Sequence, residues 1–181
     1  MTHSVELLFD TEGDAAIRSL WQALADAGLP SQLRVRSPTN RPHVTLLAAG
    51  HIGPGADAGL RGLADRLPMR VTVGAALVFG GSRPVPLVPF VLARLIVPSA
   101  GLLDLHAEIW RRTSPHVGGE PFGHCRPGHW TPHATLGRRL DGDQIGAALA
   151  VVNAAGGDLA AQVTGLRRWD GDERVEHLLV G

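Results

Sequence analysis

Arg41-Pro-His-Val-Thr-Leu46 in the first half of the chain is echoed by Thr131-Pro-His-Ala-Thr-Leu136 in the second. Both copies contain Pro-His-x-Thr-Leu, and how these stretches are read decides the fold. In an extended strand successive side chains point to opposite faces. His43 and Thr45 therefore share one face while Val44 and Leu46 share the other, and His133 and Thr135 are set against Ala134 and Leu136 in the same way. Each stretch reads as a strand with one apolar face against helices and one polar face left free. Proline at the start of such a strand is tolerated, because it need not donate a ladder hydrogen bond there.

Outward from these two strands the chain gives the same order of elements twice. Val5 to Phe9 reads as a strand. A helix follows with Ile17, Leu20, Trp21 and Leu24 on one face. Thr11 and Asp14 have capping-box spacing at its start, and Gly28 with Pro30 marks its end. After the first motif strand come a helix bearing Leu60, Leu63, Ala64 and Leu67 and a strand from Val71 to Phe79. The second half opens with a strand from Phe90 to Val97 and a helix carrying Leu102, Leu105, Ile109 and Trp110. The second motif strand is followed by Asp141 and Gln144 at capping-box spacing and a helix with Ile145, Ala148, Leu149 and Val152. Strands near Ala160 to Trp169 and Val175 to Val180 close the chain around an Asp170-Gly171 turn signal.

This pattern predicts an α+β protein: a single bilobal domain over residues 1–181, with lobe 1 about 1–79, lobe 2 about 90–181 and the Gly/Pro-rich segment 80–89 as linker. Each of the two pseudo-symmetric lobes would be an antiparallel sheet with helices on its outer face. Packing about a pseudo-twofold axis would then bring both His-x-Thr pairs into one groove between the lobes.

Composition removes several chemistries. The 181 residues carry no net charge, so general adhesion to nucleic acid or membrane is not implied. All 17 basic residues are arginine. Without lysine the chain has no P-loop lysine, no Schiff base and no adenylated-lysine ligase intermediate. No apolar run reaches the length of a membrane span. The lone Cys125 and the absence of a basic leader before Val5 make a cytoplasmic location the default expectation.

Two histidines and two threonines in one groove suit cleavage of a phosphodiester. Displacement at phosphorus needs a base for the attacking oxygen and an acid for the leaving oxygen. Imidazole, with an unperturbed pKa of about 6.5, serves as either near neutral pH. Fixed hydroxyls can donate to the non-bridging oxygens as they gain charge. No metal or cofactor is required.

The paired motifs resemble those of the 2H phosphoesterase superfamily, in particular its branch of 2′-5′ RNA ligases and cyclic phosphodiesterases. The resemblance runs over nearly the whole chain, because the duplicated order of elements matches too. It implies a bilobal fold, with His43 and His133 as catalytic residues and Thr45 and Thr135 as phosphate ligands. The substrate it implies is a nucleotide or RNA-end 2′,3′-cyclic phosphate, hydrolysed or reversibly joined through a 2′-5′ bond. Arg138, in Thr135-Leu136-Gly137-Arg138, is a further phosphate candidate, although strict alternation turns it away from the histidine face. Phe9 matches an aromatic of the first strand that stacks on a base. The rival reading is a non-catalytic nucleotide or RNA-end binding module on the same fold.

Other residues receive plainer readings. Ser114 to Gly128 is a long connection with His116, His124 and Cys125, and with His129 just beyond; its spacing fits no familiar zinc pattern. Trp21, Trp110, Trp130 and His106 read as core, Arg41 and Thr131 as residues able to line the groove, and Arg167-Arg168 as a solvated edge. A monomer is expected.

Overall fold

The structure, a computed structural model, describes residues 1–80 and 89–181, so the expected linker lies almost wholly outside the described residues. The strands are β1 (His3–Phe9), β2 (His43–Ala49), β3 (Met69–Phe79), β4 (Phe90–Ile96), β5 (His133–Leu140), β6 (Leu159–Asp170) and β7 (Val175–Val180). The α-helices are α1 (Thr11–Asp26), α2 (Ala56–Arg61), α3 (Ala100–Thr113) and α4 (Gly142–Ala154). None of the described helices is long and apolar enough to cross a membrane.

Every strand pairing is antiparallel, as the alternation predicts, but the strands make one continuous sheet of order β2-β1-β6-β3-β4-β5. Long β6 joins its parts. Val163 pairs with both Phe9 and Met69, so β3 lies on the edge of β6 opposite β1, and β7 takes that same edge further along. The division at 79 and 90 therefore does not follow the pairing. β3 from the first half joins β4 and β5, while β6 and β7 from the second half extend β1 and β2. Exchanging strands in this way leaves fewer exposed edges than two separate sheets would. The sheet curls until its end strands β2 and β5 touch.

Helices cover one face. Ile17, Leu20, Trp21 and Leu24 of α1 and Leu102, Leu105 and Ile109 of α3 are buried against Val44, Leu46, Ala134 and Leu136 of the motif strands. The helices also cross between halves: α1 packs on β5 and α4, and α3 on β2 and α2. Two indoles fasten this arrangement. Trp21 Nε1 donates to the Thr135 carbonyl (3.0 Å), and Trp130 Nε1 donates to that of Thr45 (2.9 Å).

The cap of α4 is the expected capping box, with Asp141 and Gln144 satisfying each other's backbone. At α1 the cap is one residue earlier than the spacing suggests: Asp10, not Thr11, accepts from the Gly13 amide. A carboxylate there competes effectively, being also favoured by the positive end of the helix.

Both motif strands carry a bulge at the same place. Along β1, Val5 pairs with Leu47 but Glu6 with Thr45, so Leu46 is an extra residue in β2. Along β4, Leu92 pairs with Gly137 but Ala93 with Thr135, so Leu136 is extra in β5. A bulge inserts one unpaired residue and resets which face the following side chains occupy. Leu46 and Leu47 are accordingly both buried on the helix side. Gly137 has a second constraint, because a Cβ there would press into the Pro30 carbonyl oxygen. Gly137→Ala should lower stability by about 1–3 kcal/mol through this overpacking. Urea unfolding at constant slope measures it, and an unchanged midpoint would show that the 30s segment is free to move aside.

Candidate active site

The face of the curled sheet away from the helices holds a cavity of about 630 Å³, and His43, Thr45, His133 and Thr135 all line it. All four side chains are half-buried, while the alternate residues Val44, Leu46, Ala134 and Leu136 are wholly buried on the other side. The motif residues thus converge as the two-residue period requires.

Each histidine is held in the same way. His43 Nδ1 lies 2.7 Å from the Arg41 carbonyl and His133 Nδ1 lies 2.7 Å from the Thr131 carbonyl. A carbonyl can only accept, so Nδ1 carries the proton in both rings, and chemistry at either ring falls to Nε2. Each motif thereby orients its own imidazole through the backbone two residues before it.

The surroundings of the two rings differ. Glu6 Oε1 stands 3.7 Å from His43 Nε2, an attractive contact when that nitrogen is protonated. Glu6 is itself buried, where loss of water would raise its carboxyl. The charges of His43 and Arg167, with hydrogen bonds from Ser4 and Arg167, outweigh that and hold it below the ordinary carboxylate value. Arg167 carries the network on to Glu176 (2.6 Å), which also takes Arg41 at 2.6 Å. Among the described residues no carboxylate pairs with His133; the Phe79 ring lies 4.6 Å away, centre to centre. Burial lowers the pKa of His133, the Thr131 carbonyl opposes this, and the charges of Arg138, His43 and His124 add to the lowering. A neutral ring is favoured there.

Arg138 joins the cavity. The Leu136 bulge is the reason: without the extra residue, alternation would send the guanidinium to the other face. At the matching place after the Leu46 bulge the residue is Ala48, which also lines the cavity. Among the described residues, the arginine that lines the groove therefore lies on the His133 side.

Phe9 is not in the groove. It shares alternation with Val5 and Leu7, is only 8% exposed, and belongs to the core under the helices. The β1 residues that face the groove are Ser4 and Glu6, and a lone carboxylate within the apolar run Val5-Glu6-Leu7-Leu8 is the signal that could have found this face. The groove's aromatic surface comes from Phe79, Phe122, Trp130 and Trp169.

Residues 114–128 pack along the outer edge of β2 and form one wall of the groove. The Phe122 amide donates to the Ala48 carbonyl (2.8 Å) and the Gly118 amide to that of His51 (3.1 Å). His106 is buried as expected, its Nε2 directed at the Leu46 and Cys125 carbonyls and its ring stacked 4.0 Å from Trp130. Thr131, His124 and His129 line the cavity, whereas Arg41 is held away from it by Glu176. Trp130 combines core packing with a place on the groove wall. Among the described residues, the histidines and cysteine of this segment do not gather into a metal-ligand set. Arg167 and Arg168 are not a solvated edge. They are 3% and 2% exposed, with Arg168 bidentate on Asp57 of α2 (2.6 and 3.1 Å).

A bulged, curled antiparallel sheet that presents two inward His-x-Thr pairs to one groove defines a two-histidine phosphoesterase class of protein. The sequence profile of the 2′-5′ RNA ligase superfamily matches residues 9–174, and the chain belongs to that family. Among solved structures it is similar to Kluyveromyces marxianus Usb1 with uridine monophosphate, with 11% identity and a TM-score of 0.56. That match covers 99% of this chain and 98% of the other. A second structure of Kluyveromyces marxianus Usb1 gives the same identity and coverage with a TM-score of 0.53. At this identity the likeness is one of fold. No curated protein sequence matches the chain.

Proposed function

We propose that the protein is a metal-independent phosphodiesterase acting on 2′,3′-cyclic phosphates of RNA ends or nucleotides, with reversible ATP-independent 2′-5′ joining as the same displacement made by a 5′-hydroxyl in place of water. The observation that carries this reading is the pair of histidines in one cavity, each with Nδ1 fixed on a backbone carbonyl and Nε2 left for proton transfer.

The unequal surroundings of the two rings support unequal roles. His133, desolvated and favoured neutral, takes a proton from water through Nε2 as the oxygen attacks phosphorus. His43, beside Glu6, carries its proton on Nε2 and gives it to the departing ribose oxygen as the P–O bond breaks. Thr45 and Thr135 donate to the non-bridging oxygens, and Arg138 offsets their growing charge. The solved Usb1 complex contains uridine monophosphate, a ligand of the size and chemistry that a 630 Å³ groove with aromatic walls would take here.

A panel of 2′,3′-cyclic nucleotides, ADP-ribose 1″,2″-cyclic phosphate and oligonucleotides ending in cyclic phosphate, assayed in EDTA, tests the reading. Turnover is expected to persist in the chelator, with a bell-shaped pH profile. The rate should rise with pH as His133 loses its proton, in a limb lying below the ordinary histidine value, and fall at higher pH once the acid of the pair is no longer protonated. No turnover of any substrate would leave a binding module. Loss of turnover on chelation, restored by zinc, would replace the two-histidine mechanism with metal chemistry.

Thr45→Val and Thr135→Val keep side-chain shape and remove the hydroxyl. Each should slow the chemical step by roughly one to three orders of magnitude, as for loss of an oxyanion donor. Single-turnover rates measure it, and normal rates in both variants would show that the hydroxyls do not touch phosphate.

A further inference from the structure

Arg41 stands in the first motif where the second has Thr131, and the carbonyl of each accepts from the histidine two residues on. Residues 40–42 lie outside the strands, so the sheet does not set the direction of the Arg41 carbonyl. Side chains hold this segment instead. Arg41 Nη2 donates to Glu176 Oε2 of β7 (2.6 Å), Arg167 Nη1 to the Thr39 carbonyl (2.9 Å) and Arg18 Nη2 to that of Asn40 (3.2 Å). Thr131 carries only a short hydroxyl and lines the cavity itself.

The same Glu176 oxygen accepts from Arg167 Nη1 at 2.6 Å. Arg167 in turn grips Glu6 Oε2 through Nε (2.8 Å) and Nη2 (2.7 Å), and Glu6 Oε1 stands 3.7 Å from His43 Nε2. Charges of alternating sign thus leave Glu176 in two directions and close on one imidazole, through Arg41 on its Nδ1 side and through Arg167 and Glu6 on its Nε2 side. We propose that Glu176, which does not line the groove, is a positioning residue for His43.

Glu176 Oε2 lies between two guanidinium groups. Burial alone would raise this carboxyl, but hydrogen bonds from Arg41 and Arg167, with their charges, outweigh that and hold it below the ordinary carboxylate value. A neutral amide in its place would leave two like charges on one oxygen, and the less buried Arg41 would turn away rather than Arg167. The Arg41 backbone would then lose its anchor, and His43 Nδ1 its fixed acceptor. Proton transfer needs Nε2 within hydrogen-bond reach of the leaving oxygen, and a misplacement of about 1 Å can cost roughly 10²-fold. Glu6 and Glu176 lie on either side of residues 9–174, so the family likeness does not account for them.

The effect on rate rests on the phosphodiesterase reading; the effect on the ring does not, and the test reads both. Long-range ¹H–¹⁵N spectra of the ¹⁵N-labelled protein, at a pH where both rings are neutral, report which ring nitrogen carries the proton. In wild type both His43 and His133 should carry it on Nδ1. Glu176→Gln should turn His43 into a mixture of the two forms and leave His133 unchanged. It should also lower kcat on cytidine 2′,3′-cyclic phosphate by about 10- to 100-fold with KM little changed. Arg41→Met keeps the side-chain stem and should do the same to His43, so the question stays answerable if Glu176→Gln fails to fold. Unchanged His43 signals in these variants would overturn the proposal. So would equal disturbance of His133, the mark of a merely structural role, or a wild-type kcat despite the altered ring. Absence of turnover in wild type would count against the phosphodiesterase reading, and the ring spectra would still decide whether Glu176 positions His43.

Discussion

His43→Ala and His133→Ala are each expected to lower the chemical rate by about 10²- to 10⁴-fold while changing substrate affinity little. On the proposed mechanism each variant deletes one of two proton transfers that accompany the same displacement at phosphorus. Water can replace the missing group only poorly, because it is neither fixed at Nε2 distance nor matched in pKa to the task. The double variant should be far less than multiplicatively worse: with one transfer already unassisted, the concerted advantage of the other is largely gone. The two single variants should differ in their pH profiles. Loss of His133 should remove the limb that rises with pH, since that limb reports its deprotonation, whereas loss of His43 should leave that limb in place. Folding is a fair concern for His43→Ala, because Glu6 then loses one of the charges that hold it ionised. Arg167 and Ser4 remain on the carboxylate, so melting temperature should move little, and a thermal melt separates misfolding from lost chemistry. Near-normal turnover by either single variant would remove the acid–base assignment.

What could be read from the sequence was whatever the two-residue period controls within one unbroken strand. His43, Thr45, His133 and Thr135 fall on one face because nothing interrupts alternation between the members of each pair, and the structure places all four in one cavity. Arg138 marks where that logic stops. The Leu136 bulge is a property of the β4–β5 pairing, which depends on residues distant in sequence, and it reverses the face that alternation predicts. Phe9 is the opposite case. Its alternation with Val5 and Leu7 assigns it to the core, against the stacking role that the family resemblance implies. The buried arginines could not be seen because their partners, Glu6 and Asp57, lie more than a hundred residues away in sequence. Strand exchange between the halves was hidden likewise. A repeat in sequence specifies similar elements but not whose edge each will find, and long β6 settled that by serving both halves of the sheet.

Joining and cleavage of the same 2′-5′ bond should be depressed by the same factor in His43→Ala, and likewise in His133→Ala, again about 10²- to 10⁴-fold. The reverse reaction passes through the same transition state with acid and base exchanged, so a variant cannot favour one direction at equilibrium. Any joining is also expected to proceed without ATP. The chain contains no lysine to adenylate, and the cyclic phosphate itself stores the strain that drives bond formation. Water and a 5′-hydroxyl then compete for one phosphorus in one groove. Positioning of the second strand decides between them, since holding a nucleophile in place is worth several kcal/mol of barrier. This groove has Arg138 at one side and Ala48 at the matching place opposite, the chain is neutral overall, and Arg167 and Arg168 are committed to buried carboxylates. A second strand should therefore be held weakly, and hydrolysis should dominate at ordinary concentrations of RNA ends. Raising the concentration of a 5′-hydroxyl oligonucleotide should increase the joined fraction in proportion, without saturation over the micromolar range. Saturable joining at low concentration would reveal a strand-binding surface outside the groove. Joining that required ATP, or a histidine variant that lost joining while cleaving the same bond normally, would sink the shared two-histidine mechanism.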